Sequence, residues 1–592
     1  MLELSTLNDV FARVAARGDE TVAQYREGSE WKPITAKQMY GRVRAVAEQL
    51  QSWGIQRGDR VALVGENRWE WPVVDFAVLA IGAADVPLYQ TLTPEQMAFI
   101  LNNSGAKAIF MSSRDQFDKL LKVADQIKTI EHVVVWDEGE YTGAENFSGI
   151  MKRATELEAQ DPDFDALLHS AKPEELASII YTSGTTGDPK GVALTHNNMA
   201  SNLRHSTDGL NIVKGDSSIS FLPLSHALAR HLDYAMYAHE ATIAYLPKFD
   251  DLPNAMKAVR PTIFLAVPRV FEKVRQAVQG RAKGFQLKVL LWALRQGAAH
   301  KDEIAQGKTP GSLGWKIANY LVFGKVKEAF GGNVKLFVSG GAPLGKETTD
   351  WFLSAGIRIV EGYGMTEVSP VIARSTFEAF RPNTVGKVIP NLEARLAQDG
   401  ELEVCGSSVF QGYWQNEEAT KKEYTEDGWF KTGDIGKFED GFLTITDRKK
   451  ELMKTSGGKY IAPQPVESKL KSDGLVEHAA LIGDNMKFVS VLISPNFKAL
   501  ESWAKQNGVT VSGRPELVKD PKVQKLYQGI AEKVNGSLAH FETIKKVTVV
   551  PDEWSVEEGE LTPSLKLKRR VITEKYKDQI QAMYRSGDSK SE

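Results

Sequence analysis

The chain has 592 residues, too many for one hydrophobic core, so it should divide into at least two domains. Its 42% hydrophobic and 25% charged residues are ordinary for a soluble globular protein, and a net charge of −3 excludes global attraction to nucleic acid or anionic lipid. The lone cysteine, Cys405, excludes an intramolecular disulfide and fits a reducing, cytoplasmic compartment.

In chain order, Met1-Leu2-Glu3-Leu4 lacks a basic region before an apolar one, so no signal peptide is expected. Val61-Ala62-Leu63-Val64 through Pro87-Leu88 reads as strand, helix, strand. Its apolar span Phe76 to Ala84, bounded by Asp75 and Asp85, is far short of the ~20 residues a membrane helix needs. Ala108 to Met111 and His132 to Trp136 are further β-rich runs between helical stretches, an alternation that predicts a parallel sheet wrapped by helices. Leu176 to Ile180 reads as a buried strand and Val192 to Thr195 as the next. Val334 to Ala342 is again a strand ending in a glycine turn, the kind of carboxyl end where open α/β sheets bind ligands. From about Glu401 the texture becomes shorter and more β-like, and Leu402-Glu403-Val404-Cys405 predicts a small buried role for the cysteine. After Asp447-Arg448-Lys449-Lys450 a smaller lysine-rich region begins, which sets the expected domains at 1–447 and 448–592. Ser586 to Glu592 reads as a disordered tail. The ten histidines show no zinc spacing.

The most telling stretch is Tyr181-Thr182-Ser183-Gly184-Thr185-Thr186-Gly187-Asp188-Pro189-Lys190-Gly191. Backbone N–H groups in such a loop can form a nest, while hydroxyls and one ammonium neutralise phosphate oxygens. The Walker pattern is absent, since Gly191 rather than Ser or Thr follows Lys190. By itself such a loop is more often a plain hairpin turn. Its company decides: Gly340-Gly341-Ala342-Pro343, Glu361-Gly362-Tyr363-Gly364-Met365-Thr366-Glu367, Thr432-Gly433-Asp434, Asp447-Arg448 and Pro563-Ser564-Leu565-Lys566 follow in order. With these motifs the chain resembles the adenylate-forming acyl-CoA synthetases over nearly its whole length.

That resemblance implies an α/β fold. A large N-terminal domain of parallel sheets wrapped by helices, with a small β-barrel-like subdomain, would precede a small mobile α+β C-terminal domain. It also implies ATP-dependent joining of a carboxylic acid to AMP, release of pyrophosphate, and transfer of the acyl group to CoA. Mg2+ is the implied cofactor, with Glu367 as its ligand assisted by Thr185. Thr182, Ser183, Gly184, Thr185, Thr186, Gly187 and Lys190 would hold the β- and γ-phosphates. Tyr363 offers a face for adenine, and Gly341, Ala342 and Pro343 leave room for its edge. Glu361, Gly362, Gly364 and Thr366 complete that motif, while Asp434 would serve the ribose and Arg448 the ribose or phosphate side. Lys566 is the expected catalytic lysine at the α-phosphate; a leucine stands where the family has glycine, so Lys568 is its rival. Lys450 matches the family's hinge, and Ser456, Gly457 and Gly458 would approach the CoA thiol. His226 resembles the position that meets the acyl carboxylate, though a lone histidine is more often structural.

The acid is suggested by residues 284–326. Leu287, Leu290, Leu291 and Leu294 follow helical spacing, and Trp315 to Val326 resembles the long-chain branch of the family. Apolar helices with basic flanks also predict either core packing or peripheral contact with the inner face of a membrane, and both remain open. The expected partners are thus a fatty acid, ATP and CoA, with no nucleic acid; the oligomeric state is not legible. Two other readings stay open: a ligase for another acid, or a carrier-protein loader, is one. A non-catalytic lipid-binding homologue is the other, with Lys190, Glu367, Asp434 and Lys566 arguing against it.

Overall fold

A computed structural model describes residues 2–182, 189–456, 460–510, 513–562 and 566–585, with the Lys450 side chain left aside. The phosphate-loop residues Ser183 to Gly187, the CoA-approach residues Gly457 and Gly458, and the tail Ser586 to Glu592 therefore lie outside the described residues. Two compact units emerge: residues 1–395, 403–431 and 438–443 form the larger, and residues 396–402, 432–437 and 444–592 the smaller.

The larger unit is built on an eight-stranded sheet. Its spatial order is Gly412–Tyr413, Lys190–Thr195, Leu176–Thr182, Ala84–Leu88, Arg60–Val64, Ala108–Met111, His132–Val135 and Glu145–Asn146. From Leu176–Thr182 onward the pairing is parallel, as the alternation of strands and helices predicts. The other edge is antiparallel, because Leu176–Thr182 and Lys190–Thr195 form a hairpin around the phosphate loop. Ala84–Leu88 is buried along its entire length, the pattern of a strand covered on both faces. Helix Glu70–Ala80 is buried at every residue, so the apolar run noted in the sequence is the end of a core helix and the turn into strand Ala84–Leu88. Among the described residues no helix is long and apolar enough to cross a membrane.

A second sheet runs Ile263–Ala266, Leu336–Ser339, Ile359–Gly364, Val371–Arg374 and Lys387–Val388. Its first three strands are parallel and its last two antiparallel. A third, four-stranded sheet runs Ser217–Ser220, Thr242–Tyr245, Thr21–Glu27 and Glu30–Thr35. The helix starts carry their own signals. Thr35, Thr93 and Thr195 cap helices whose third residues, Gln38, Gln96 and Asn198, return the bond, each a reciprocal capping box.

In the smaller unit, Val476–Ile482, Val489–Pro495 and Ile544–Val549 form a three-stranded sheet. Helices Pro463–Lys471 and Pro521–Asn535 cover it with an apolar core that includes Val491, Leu500 and Tyr527. One expectation is corrected: Cys405 is half-buried rather than a core residue. It falls near the end of strand Glu401–Gly406, where four buried residues give way to exposure.

Candidate active site

In the larger unit the site is organised by helix His196–Thr207, whose polar side chains are buried rather than solvated. The Asn202 amide donates to the carbonyls of Val368 (2.9 Å) and Val371 (2.8 Å), and its oxygen accepts from the Val371 N–H. Asn198 donates to the carbonyls of Ser407 (2.8 Å) and Val409 (3.0 Å). One helix thereby fixes both the turn carrying Glu367 and the segment leading to Tyr413. Glu367 sits in a short 3-10 turn, Thr366–Val368, and its carboxylate accepts the Tyr413 hydroxyl at 3.0 Å. Burial, with the Glu367 and Glu423 carboxylates adding to it, pushes the Tyr413 phenol well above its ordinary range, so it stays a donor. Lys190 reaches this group too: its ammonium is 4.7 Å from the centre of the Tyr413 ring and 3.7 Å from Glu423. Cross-strand pairing of Thr182 with Lys190 closes the loop between them. The Trp414 N–H bonds to the Gly191 carbonyl at 2.7 Å, tying residues 412–414 to the hairpin.

Glycine geometry explains the neighbouring motif. A Cβ on Gly364 would fall 1.8 Å from the Pro370 carbonyl oxygen, so no other residue fits without parting the strands. Gly341 has a φ of +82°, in the left-handed region open to glycine. His226, Gly341, Gly362, Tyr363, Gly364 and Thr366 all line one cavity, whose walls are otherwise largely apolar, including Leu228, Leu265, Val338 and Val360. Its volume of about 90 Å³ is below the ~300–1,000 Å³ of typical ligand sites. His226 caps helix Ala227–Ala238, its Nδ1 accepting from the Leu228 N–H at 3.1 Å. Ala342, Pro343, Glu361, Glu367 and Lys190 are not among the residues lining that cavity. Glu361 instead accepts from the Leu344 backbone and the Thr349 side chain, and burial pushes its carboxyl up to about 7.

Several polar residues that the sequence reading missed stand at the same cavity. Ser206 and His231 line it, 2.7 Å apart through Oγ and Nε2, and burial pushes His231 down to about 4, keeping it neutral. Arg374, another wall residue, donates to the His205 and Asp208 carbonyls; burial pushes its guanidinium down to about 10. Behind them Arg230, on the His226 helix, is buried against Asp75 (2.7 Å), Asp85 (2.8 Å to Oδ1), Ser178 (2.9 Å) and Tyr234 (2.8 Å). Burial pushes Asp75 well up, against the opposing pull of Arg230. This cluster ties the helix bearing His226 to the strand that leads into the phosphate loop. No local pattern in the sequence pairs these positions, which are far apart along the chain.

In the smaller unit, Asp434 is buried and accepts from Arg448 Nε at 3.1 Å, while its own N–H bonds to the Thr432 hydroxyl. Gly433, at φ +73° within strand Phe430–Glu439 rather than in a turn, donates its N–H to Glu401. The Lys450 backbone belongs to the short turn Lys449–Glu451, and Ser456 donates its N–H to the Met486 carbonyl. Lys566 is exposed beside the antiparallel bridge Leu561–Leu567: its N–H bonds to Thr562 Oγ1, and its carbonyl accepts from the Thr562 N–H; Pro563, Ser564 and Leu565 lie outside the described residues. Lys568 is half-buried, donating its N–H to the Glu560 carbonyl before helix Arg569–Lys575.

Residues 10–414 match the AMP-binding enzyme family, and residues 450–588 match the AMP-binding enzyme C-terminal domain. The chain belongs to the AMP-binding enzymes. It is 36% identical over 567 residues to the long-chain-fatty-acid–CoA ligase FadD15 of Mycobacterium bovis, covering 94% of this chain and 92% of that one. It is 32% identical to the long-chain-fatty-acid–CoA ligase ACSBG2 of Xenopus laevis, covering 99% and 85%. Among solved structures, ATP-bound MatB from Rhodopseudomonas palustris superposes with a TM-score of 0.70 at 25% identity, covering 97% of this chain and 99% of that one. The adenylation domain of a Segniliparus rugosus carboxylic acid reductase, in complex with AMP and a co-purified carboxylic acid, gives 0.77 at 18% identity, covering 98% and 94%. That second likeness shows the shared α/β fold.

Proposed function

We propose that the protein is an AMP-forming long-chain fatty acid–CoA ligase. The observation that carries this reading is the apolar cavity that shares its rim with His226, Gly341 and the Gly362–Thr366 motif, in a chain of the AMP-binding family. A carboxylic acid does not acylate a thiol at neutral pH, because its hydroxide leaves poorly; joining it to AMP supplies a good leaving group. The loop from Thr182 to Lys190 takes the β- and γ-phosphates, and Tyr363 with Gly341 takes the adenine. Asp434, oriented by Arg448, accepts the ribose hydroxyls. Glu367 is a hard oxygen donor aimed by the Tyr413 hydroxyl, which fits a Mg2+ ion sharing its shell with phosphate oxygens. Held by Glu367, such an ion would supply neutralisation of charge on the departing pyrophosphate.

Lys566 supplies the cation at the α-phosphate. Its exposure favours it over Lys568, which is half-buried with its N–H on the Glu560 carbonyl just before a helix. The functional division is 1–447 and 448–592, with Lys450 as the hinge and Ser456, Gly457 and Gly458 meeting the thiol. An apolar tail is worth binding: each CH₂ buried contributes ~0.8 kcal/mol, so ~14 methylenes supply roughly 11 kcal/mol at most. The test is purified protein with Mg-ATP, CoA and acids from acetate to oleate, read by mass spectrometry. Acyl-CoA with stoichiometric AMP, rising toward long chains, is expected. Acyl-AMP without thioester points to a carrier-protein acceptor, and no product from any acid overturns the catalytic reading.

A further inference from the structure

The larger unit holds a second cavity, of about 340 Å³, within the ~300–1,000 Å³ of typical ligand sites. It shares no wall residue with the cavity at His226. Its place follows from the topology of the eight-stranded sheet. Strand Arg60–Val64 is followed in the chain by its neighbour on one side, Ala84–Leu88, and the next strand, Ala108–Met111, lies on its other side. The connections therefore part at the carboxyl ends of Arg60–Val64 and Ala108–Met111, and open α/β sheets bind ligands at such a switch point. Segments leaving these strand ends build the cavity: Trp69 and Glu70 come after Arg60–Val64, and Trp136 and Glu138 after His132–Val135. Helix Ala36–Ser52 supplies Arg42, and helix Phe147–Met151 supplies Phe147. The phosphate loop hangs from Leu176–Thr182, two strands from Arg60–Val64 and three from Ala108–Met111, roughly 10–14 Å at the usual strand spacing.

The scaffold around this cavity is tightly held. Arg68 donates to Asp137 (2.6 Å) and to Glu70 Oε1 (2.5 Å), bridging segments that follow two different strands. Trp136 lies against Gly65, where a Cβ would fall 2.4 Å from the indole ring. Yet Glu70 Oε2 and Trp136 Nε1, on side chains only 4% exposed, are buried without a hydrogen-bond partner, and so is Arg42 Nη1. The Arg42 guanidinium stacks 4.1 Å from the centre of the Trp69 ring, and among the described residues no carboxylate pairs with it. Buried polar groups are normally bonded, so three orphans on the residues of one cavity wall call for an occupant that bonds to them. They amount to two donors and one carboxylate acceptor beside aromatic faces. Arg42 opposes a plain cation, while Glu70, Glu138 and Glu158 oppose a plain anion. We propose that this cavity binds a neutral guanine nucleoside. Guanine is flat, with acceptors at O6 and N7 and a donor at N2, so one edge suits Arg42 and Trp136 and the other suits Glu70. Aromatic side chains such as Phe147 stack readily on bases, and the Ser148 and Thr155 hydroxyls on the wall suit a ribose. The proposal goes beyond the ligase reading and stands or falls separately from it.

The test is isothermal titration calorimetry of the full chain with guanosine, with and without saturating Mg-ATP. A single saturable site is expected, its affinity unchanged by Mg-ATP. Inosine, which lacks only the N2 amine, should bind about tenfold more weakly, the loss of one hydrogen bond to a charged group. GMP should also bind more weakly than guanosine, because its phosphate meets a wall bearing Glu138 and Glu158. R42M should weaken guanosine binding about tenfold or more. W136F keeps an aromatic ring and removes the N–H, and should weaken it about fivefold. Both variants should keep ligase turnover, which shows that they fold. No binding at guanosine concentrations up to about 1 mM, displacement by Mg-ATP, or an affinity unchanged in both variants overturns the proposal. Equal binding of inosine, or tighter binding of GMP, overturns it too, since the base edge or the charge of the wall has then been misread.

Discussion

Replacing Arg230 by alanine tests the reasoning about the buried cluster beneath the cavity. The side chain is 1% exposed and bonds to Asp75, Asp85, Ser178 and Tyr234, linking the His226 helix to two central strands. Removing one partner from a buried ion pair typically costs 3–5 kcal/mol, since the other charge is left without compensation, and about 4 kcal/mol is expected here. The loss should depend on pH. Burial already holds the Asp75 carboxyl well up against the opposing pull of Arg230, so removing the guanidinium raises its folded-state pKa further above the unfolded value of about 4. A raised folded pKa means that the folded state holds protons the unfolded state has released, so stability declines as pH rises above about 4. Urea unfolding followed by tryptophan fluorescence at pH 5 and pH 8 reads this directly, with Trp71 only 5.5 Å from the guanidinium as a local reporter. R230A should lose markedly more at pH 8, and D75N/D85N/R230M should recover most of the deficit. An equal loss at both pH values, or a triple variant as unstable as the single one, would refute the electrostatic account.

Tyr413→Phe removes a hydrogen bond to a charged carboxylate worth roughly 1.5–3 kcal/mol, so the Mg-ATP requirement should rise about tenfold or more with little change in acid affinity; an unchanged magnesium titration would remove Tyr413 from the site. Lys566→Ala should abolish acyl-AMP formation yet largely spare thioester formation from preformed acyl-AMP, measured as separate half-reactions; equal loss in both would reassign the lysine. Asp233 is buried with the Ser220 hydroxyl 3.0 Å away, and burial pushes it up to about 7. Its raised folded pKa makes stability fall between about pH 4 and pH 7 by up to ~4 kcal/mol. Asp233→Asn should flatten that part of a thermal stability profile, and an unaltered slope would contradict the assignment.

The sequence determined what local chemistry can encode. Strands such as Leu176–Thr182 and Leu336–Ser339, the hairpin around the phosphate loop and the Gly340–Gly341 turn follow from apolar runs broken by glycine. The ordered motifs from Thr182 to Lys566 named the family, because each reacting group needs a particular residue type. What only the tertiary structure decided is who meets whom across the chain. Asp75 and Asp85 read as the polar ends of an apolar span, yet the fold buries both against Arg230, more than a hundred residues away. Asn198 and Asn202 carry no motif, but their helix is internal, so their amides must bond to the turns that hold Glu367 and Tyr413. Leucines 287, 290 and 291 looked alike as a helical stripe; Leu290 faces the core while Leu287 and Leu291 face water. Periodicity says that a helix has an apolar face, but which residues are covered depends on neighbours brought in from elsewhere in the chain.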